Sequence, residues 1–241
     1  MVGRPGWLPR WKASLHVGPV RCRVVCVSND PLRFVVIAAD AQVARSILLY
    51  KNDMDKIAHL ADNKALASAG PQSDCVAFTE YISKNMALYE LNNDVKLTTK
   101  AAANFIRGEL AKALRKGPFQ TQLLMGGVDK RAEGKSEASL FWLDYLGTMQ
   151  KVPYGAHGYG AAFTLSVMDR EYIKGLSLDE ALGIIDNCIK ELHTRFLIAQ
   201  KNFVIKVVTA EGIKIVRGPP TPDLGTAGTS AEGTPVVPVQ A

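Results

Sequence analysis

The 241-residue chain is predicted to adopt an α+β fold in which antiparallel sheets lie between layers of helices. Three observations point there. Short runs rich in apolar and β-branched residues come first, and two long stretches with apolar residues at three- and four-residue spacing follow. Further strands, two more helical stretches and a closing hairpin complete the chain. This order is not the strict strand–helix alternation of a parallel sheet, and no internal repeat is visible.

Taken in order, strands are expected at 34–39, 44–50, 56–60 and 65–69. Gly70 and Pro71 open a helix to about Leu91, with Cys75, Phe78, Ile82, Met86 and Tyr89 on one stripe. Thr98 caps a second helix whose apolar stripe is Ala102, Phe105, Ile106, Leu110, Ala113 and Leu114, and Gly117 with Pro118 stops it. Strands follow near 120–128, 139–146 and 150–154. A third helix starts in the glycine-rich HGYGAA at 157–162 and runs to about Tyr172. Ser177 and Glu180 form a capping box for the fourth, which is expected to bury Ala181, Leu182, Ile185, Cys188, Ile189, Leu192 and Phe196. NFVIKVVT and GIKIV close as a hairpin around Glu211 and Gly212.

Both ends differ from this body. Residues 1–23 carry Arg4, Arg10, Lys12, Arg21 and Arg23 without an acid, which leaves 24 basic against 23 acidic groups in the rest. The net charge of +6 is therefore a property of the leader, and a nucleic-acid surface is not expected. With one serine, two tryptophans and three prolines the leader suits an amphipathic targeting helix poorly, so 1–23 is expected to be a flexible basic extension. Residues 217–241 hold five of the twelve prolines and four glycines, and such a segment cannot offset its ordering entropy by burial. A disordered tail is expected there, and one domain over 24–216. The run FVVIAA is far too short to span a bilayer, so no membrane partner is expected.

Chemistry-bearing residues are sparse. Cys22, Cys26, Cys75 and Cys188 form no CxxC pair, so reduced thiols and no metal are expected. His59 and His193 lie in ordinary strand and helix patterns without a GxSxG elbow, and read as structural. The glycine turn at 157–162 could cradle a phosphate, but it lacks a third glycine and reads as a tight helix entry, with no cofactor implied. Asp169 and Arg170 read as a helix-end charge pair or a subunit contact.

Five segments in order carry a resemblance: FVVIAAD at 34–40 leading to Lys56, FTEYISKNMALYEL at 78–91, ANFIRGELAKALR at 103–115, LLMGGVD at 123–129 and AHGYGAAFTLSVMDREY at 156–172. Together they resemble the beta subunits of the 20S proteasome, within the N-terminal-nucleophile hydrolases, over about 34–216. The resemblance implies a four-layer αββα sandwich. It also implies a particle of four stacked seven-membered rings that degrades unfolded and ubiquitin-tagged proteins in cytoplasm and nucleus. FTEYI, NMALYEL, HGYGA and TLSVMDR are similar to the branch at the fourth position of the beta ring. Its neighbours would be the beta subunits at the third and fifth positions, the alpha ring and the opposite beta ring.

In active members of that family a processed threonine attacks the peptide carbonyl and its free amine acts as base; an aspartate sixteen residues on and a lysine sixteen further tune it. Asp40 and Lys56 match by spacing, and the threonine position falls on Val24. Where active members carry a serine in the glycine turn this chain has Tyr159, and where they carry an aspartate and a serine it has Phe196 and Ala199. The resemblance thus implies a non-catalytic subunit, with Val24, Asp40, Lys56, Tyr159, Phe196 and Ala199 as remnants at active-site positions. The alternative is an amidohydrolase using Cys26 or Ser28 after processing.

Overall fold

The computed structural model describes residues 23–29, 34–45, 48–130, 136–196 and 202–218, with the backbone alone at 23–26, 29 and 45. The expected leader and tail lie outside the described residues except for Arg23, Arg217 and Gly218. The chain runs through β1 (Arg23–Asn29), β2 (Phe34–Asp40), β3 (Val43–Arg45), β4 (Leu48–Lys51), β5 (Ile57–Ala61) and β6 (Lys64–Ala69). Helices α1 (Gln72–Asn93) and α2 (Thr99–Ala113) follow, then β7 (Gln122–Lys130), β8 (Ser136–Leu143), β9 (Met149–Lys151) and β10 (Tyr154–Gly158). Helices α3 (Ala161–Glu171) and α4 (Leu178–Arg195) and the hairpin β11 (Phe203–Val208) and β12 (Ile213–Arg217) complete it.

β2 is buried at every position, which is why its sequence is a continuous apolar run and does not alternate. Val35, Ile37 and Ala39 enter a core shared with Leu124, Val128 and Leu140, while Phe34, Val36 and Ala38 enter another with Met168, Ile185 and Cys188. Successive side chains of one strand therefore serve a facing sheet and a helical layer. The first sheet has the order β10-β1-β2-β11-β12 and the second β5-β6-β7-β8-β9, with every neighbouring pair antiparallel. On the far side of the second sheet, Phe78, Ile82 and Met86 of α1 and Ile106 and Leu110 of α2 pack on Leu66, Leu123, Met125 and Phe141. Each such side chain contributes about 1.5–3 kcal/mol by its burial. The layers run α3α4, first sheet, second sheet, α1α2: the four-layer αββα sandwich. The two sheets approach closely at Gly126, where an added Cβ would stand 2.7 Å from Val35 Cγ1.

Several boundaries differ from expectation. β1 had no strand assigned to it, although RVVCVSN is apolar and β-branched. The strand expected at 44–50 is a hairpin of β3 and β4 outside both sheets, and no sheet covers it: every residue of β4 is exposed. The strand expected at 139–146 is displaced to Ser136–Leu143, because the Asp144 carboxylate accepts from the amides of Leu146 and Thr148 and folds the chain into a turn. Residues 150–154 divide at Val152–Pro153 into β9 and β10, and HGYGAA opens as the end of β10, so α3 begins at Ala161. In α4, Ile184 is buried, whereas Leu182 and Ile189 are only partly so; Phe196 is the C-cap. Tyr89 of α1 is exposed. The capping box appears as expected: Ser177 Oγ accepts from the Glu180 amide, and the Glu180 carboxylate accepts from the Ser177 amide.

Candidate functional site

One end of the first sheet gathers most of the expected positions. In the strand register Val24 stands between Ala39 of β2 and His157 of β10, Arg23 pairs with Gly158, and Asp40 pairs with Phe203. Lys56 is delivered to this end by the loop that leads from β2 through the β3–β4 hairpin to β5. That loop is tied down by the Ala41 amide donating to Asn202 O (3.0 Å) and the Met54 amide donating to Ala41 O (2.9 Å). Lys56 Nζ then donates to Asp40 Oδ2 at 2.9 Å and to Gln42 O at 2.7 Å. The two side chains are 5% and 0% exposed. An ammonium at this depth requires an anion beside it, and the carboxylate requires the ammonium equally.

The remaining positions are apolar or bulky. Tyr159 is 51% exposed in the turn between β10 and α3. Phe196 packs edge-on against Phe163 of α3 with ring centroids 5.6 Å apart. Ala199 lies outside the described residues. The glycine turn does what a helix entry needs: Gly158 takes φ 87° at the strand end, Gly160 is the N-cap, and Thr164 Oγ1 donates to Gly160 O. Next to it, His157 is buried, stacks on Trp142 at 4.8 Å and donates from Nε2 to Leu123 O at 3.1 Å. Burial pushes its pKa down to about 4, so the ring is neutral at physiological pH.

The other candidates are structural. Burial raises the Cys75 thiol and pushes Cys188 up to about 12, so neither is a thiolate nucleophile at neutral pH. His193 packs against Phe203 at 6.1 Å. Asp169 accepts from Tyr154 OH at 2.7 Å, and Arg170 pairs with Glu171; this corrects the expected pairing of Asp169 with Arg170. Among the described residues no cluster of three or more His, Cys, Asp or Glu could hold a metal.

A second buried ion pair went unread in the sequence. Lys206, 1% exposed within β11, donates to the Asp55 carboxylate, to Ile57 O at 2.7 Å and to His59 Nε2 at 3.0 Å. The available signal was a lysine inside the otherwise apolar NFVIKVV, since a lysine in a buried strand must find an acceptor.

The proteasome subunit family model matches residues 32–208. Proteasome subunit beta type-2-B of Arabidopsis thaliana is 49% identical over 181 residues, covering 75% of this chain and 89% of that protein. Proteasome subunit beta type-2 of Oryza sativa is 43% identical over 195 residues, covering 81% and 89%. Proteasome subunit beta type-4 of Saccharomyces cerevisiae is 37% identical over 183 residues, covering 76% and 91%. With the four-layer sandwich already in view, these matches establish that the chain belongs to the proteasome subunit family, as a beta subunit of the 20S core with the N-terminal-nucleophile hydrolase fold.

Proposed function

We propose that the chain is a non-catalytic, structural subunit of the beta ring, supporting assembly and the neighbouring threonine-protease sites in ubiquitin-dependent protein degradation. The observation that carries this reading is Val24. Valine has the branched shape of threonine with a methyl in place of the hydroxyl, so it fills the position but has no oxygen with which to attack. The aspartate and lysine sixteen and thirty-two residues on are present, yet a lysine that tunes a nucleophile is idle without one. Phe196 and Ala199 can neither hold a proton nor orient a water as the polar groups of active members do, and Tyr159 puts a bulky ring where they carry a small serine.

The alternative, a shifted start at Cys26 or Ser28, is disfavoured by the sheet. Cys26 pairs with both Ile37 and Gly155, and the Ser28 amide donates to Pro153 O at 2.8 Å. Cleavage before Cys26 removes Arg23–Val25 from the strand that links β10 to β2, and cleavage before Ser28 removes Arg23–Val27, every residue of β1 in register with β10. It also displaces the nucleophile by about 3.3 Å per residue, too far for in-line attack.

As a ring subunit the chain has apolar surface to cover. The β3–β4 hairpin exposes Leu48, Leu49 and Tyr50, and the outer side of α1 and the turn after it expose Leu88, Leu91 and Val95. On this reading these surfaces meet the beta neighbours at the third and fifth positions, the alpha ring or the opposite beta ring, in cytoplasm and nucleus. The test is to treat intact particles with a threonine-directed covalent inhibitor and map the label. None is expected on this chain, and stoichiometric labelling of it refutes the reading. The mass of its mature N-terminus decides the alternative, since a chain that still contains Val24 carries no free amine at Cys26 or Ser28.

A further inference from the structure

Lys206 is buried between the sheets, and its ammonium has three N–H donors facing three acceptors: the Asp55 carboxylate, Ile57 O and His59 Nε2. Two of those acceptors are permanent. The third exists only while Nε2 of His59 carries no proton, and a protonated ring would set a second cation 3.0 Å from the ammonium. We propose that Asp55, His59 and Lys206 form a pH-sensitive latch, fastening the edge strand β5 to β11 at neutral pH and releasing it on acidification.

The charges acting on His59 come from two elements. Lys206 on β11 opposes the imidazolium, and Asp55 in the turn before β5 favours it more weakly, while β6 presents Ala65 opposite. Partial desolvation on the sheet-facing side of the ring and, after it, Lys206 lower the His59 pKa below 6.5. A folded-state pKa below the unfolded one gives a contribution that is whole above pH 6.5 and is lost as pH falls toward the folded value. His59 lies at an exposed position on the edge strand, so a protonated ring can swing to water and leave Lys206 with two acceptors. The release is therefore local, a loosening of β5 against β11 that leaves the sandwich folded. Its reach is set by chain connectivity. Lys56 stands between Asp55 and Ile57, which both hold Lys206, so the latch bears on the segment that delivers Lys56 to Asp40. This inference does not depend on whether the chain is catalytic.

The test uses intact particles and amide hydrogen exchange at pH 7.5 and pH 5.5, corrected for intrinsic exchange chemistry, on peptides covering 55–61 and 203–208. In the wild type, protection of these peptides is expected to fall several-fold at the lower pH. In His59→Gln, whose side-chain oxygen accepts from Lys206 and does not titrate, protection is expected to hold. His157 titrates identically in both proteins and cancels. Equal loss in wild type and variant overturns the proposal. Should the variant fail to assemble, exchange of the His59 imidazole C2 proton in wild-type particles, followed by mass spectrometry, gives its titration midpoint. A midpoint below 6.5 supports the latch, and one at or above 6.5 overturns it.

Discussion

Asp55 and Lys56 are adjacent, and each closes an ion pair with a strand of the first sheet, but the two pairs sit in different surroundings. Lys56 and Asp40 are 5% and 0% exposed, and the second acceptor on Lys56 is a backbone carbonyl. The side chain of Lys206 is 2% exposed, but that of its carboxylate partner Asp55 is 26% exposed and its third acceptor is a histidine. The sealed pair lies deep beside the end of β2, and the more open one can respond to solvent. Burial of the carboxylate decides what losing the lysine costs: a solvated aspartate rehydrates, and a sealed one does not. The same reasoning gives Asp40 and Lys56 a structural role whatever their chemistry. Removing either takes away the other's ion-pair partner at 2.9 Å, so the pair stabilises the fold.

The comparison can be broken by single substitutions. Lys56→Ala should lose about 3–5 kcal/mol, because it leaves Asp40 buried without its lysine. Lys206→Ala should lose less, about 1–3 kcal/mol, because Asp55 regains water. Urea denaturation of the full chain measures both, and a larger loss at Lys206 would invert the ranking by burial. Combining Lys56→Met with Asp40→Asn should recover at least about half of the loss seen in Lys56→Ala, since both ends of the pair are then uncharged. Full additivity of the two single losses would show that the pair is not coupled. The smallest effect concerns chemistry. Val24→Thr, in particles whose other sites are disabled, should give no detectable peptide hydrolysis, because restoring one member of a catalytic unit recovers little. Robust turnover would mean that Tyr159 and Phe196 are compatible with catalysis and that the reading of the site is wrong.

How much of this was legible depended on whether a signal was local. The doubly buried β2, the stripes of α1 and α2 and the Ser177–Glu180 box all announce themselves within a few residues. Elements fixed by distant packing did not. β10 falls between the strand expected at 150–154 and the helix entry expected at 157–162, because nothing local shows that Gly155 admits Leu124 and Trp142 of the facing sheet, with side-chain atoms 3.2 and 3.5 Å from where its Cβ would stand. The β3–β4 hairpin reads as one strand because nothing in VARSILLYK shows that no sheet will receive it. At the site, Asp40 and Lys56 were legible only through the sixteen-residue spacing of a family. Asp55 and Lys206, 151 residues apart, share no spacing that a sequence reader would look for.

The two sheets also differ in how the chain is threaded through them. In the second, β5 to β9 are neighbours in chain order, so each strand finds its partner soon after it is made. In the first, β1 awaits β10 and β2 awaits β11. At roughly 5–20 residues per second of synthesis, the paired β1 and β2 must wait on the order of ten seconds with both outer edges open. Closing so long a loop costs little more free energy than closing a shorter one, because the penalty grows only with the logarithm of length. The difficulty is therefore one of timing on the ribosome, and the hazard of wrong edge-to-edge pairing ends only when β11, the last inner strand, emerges.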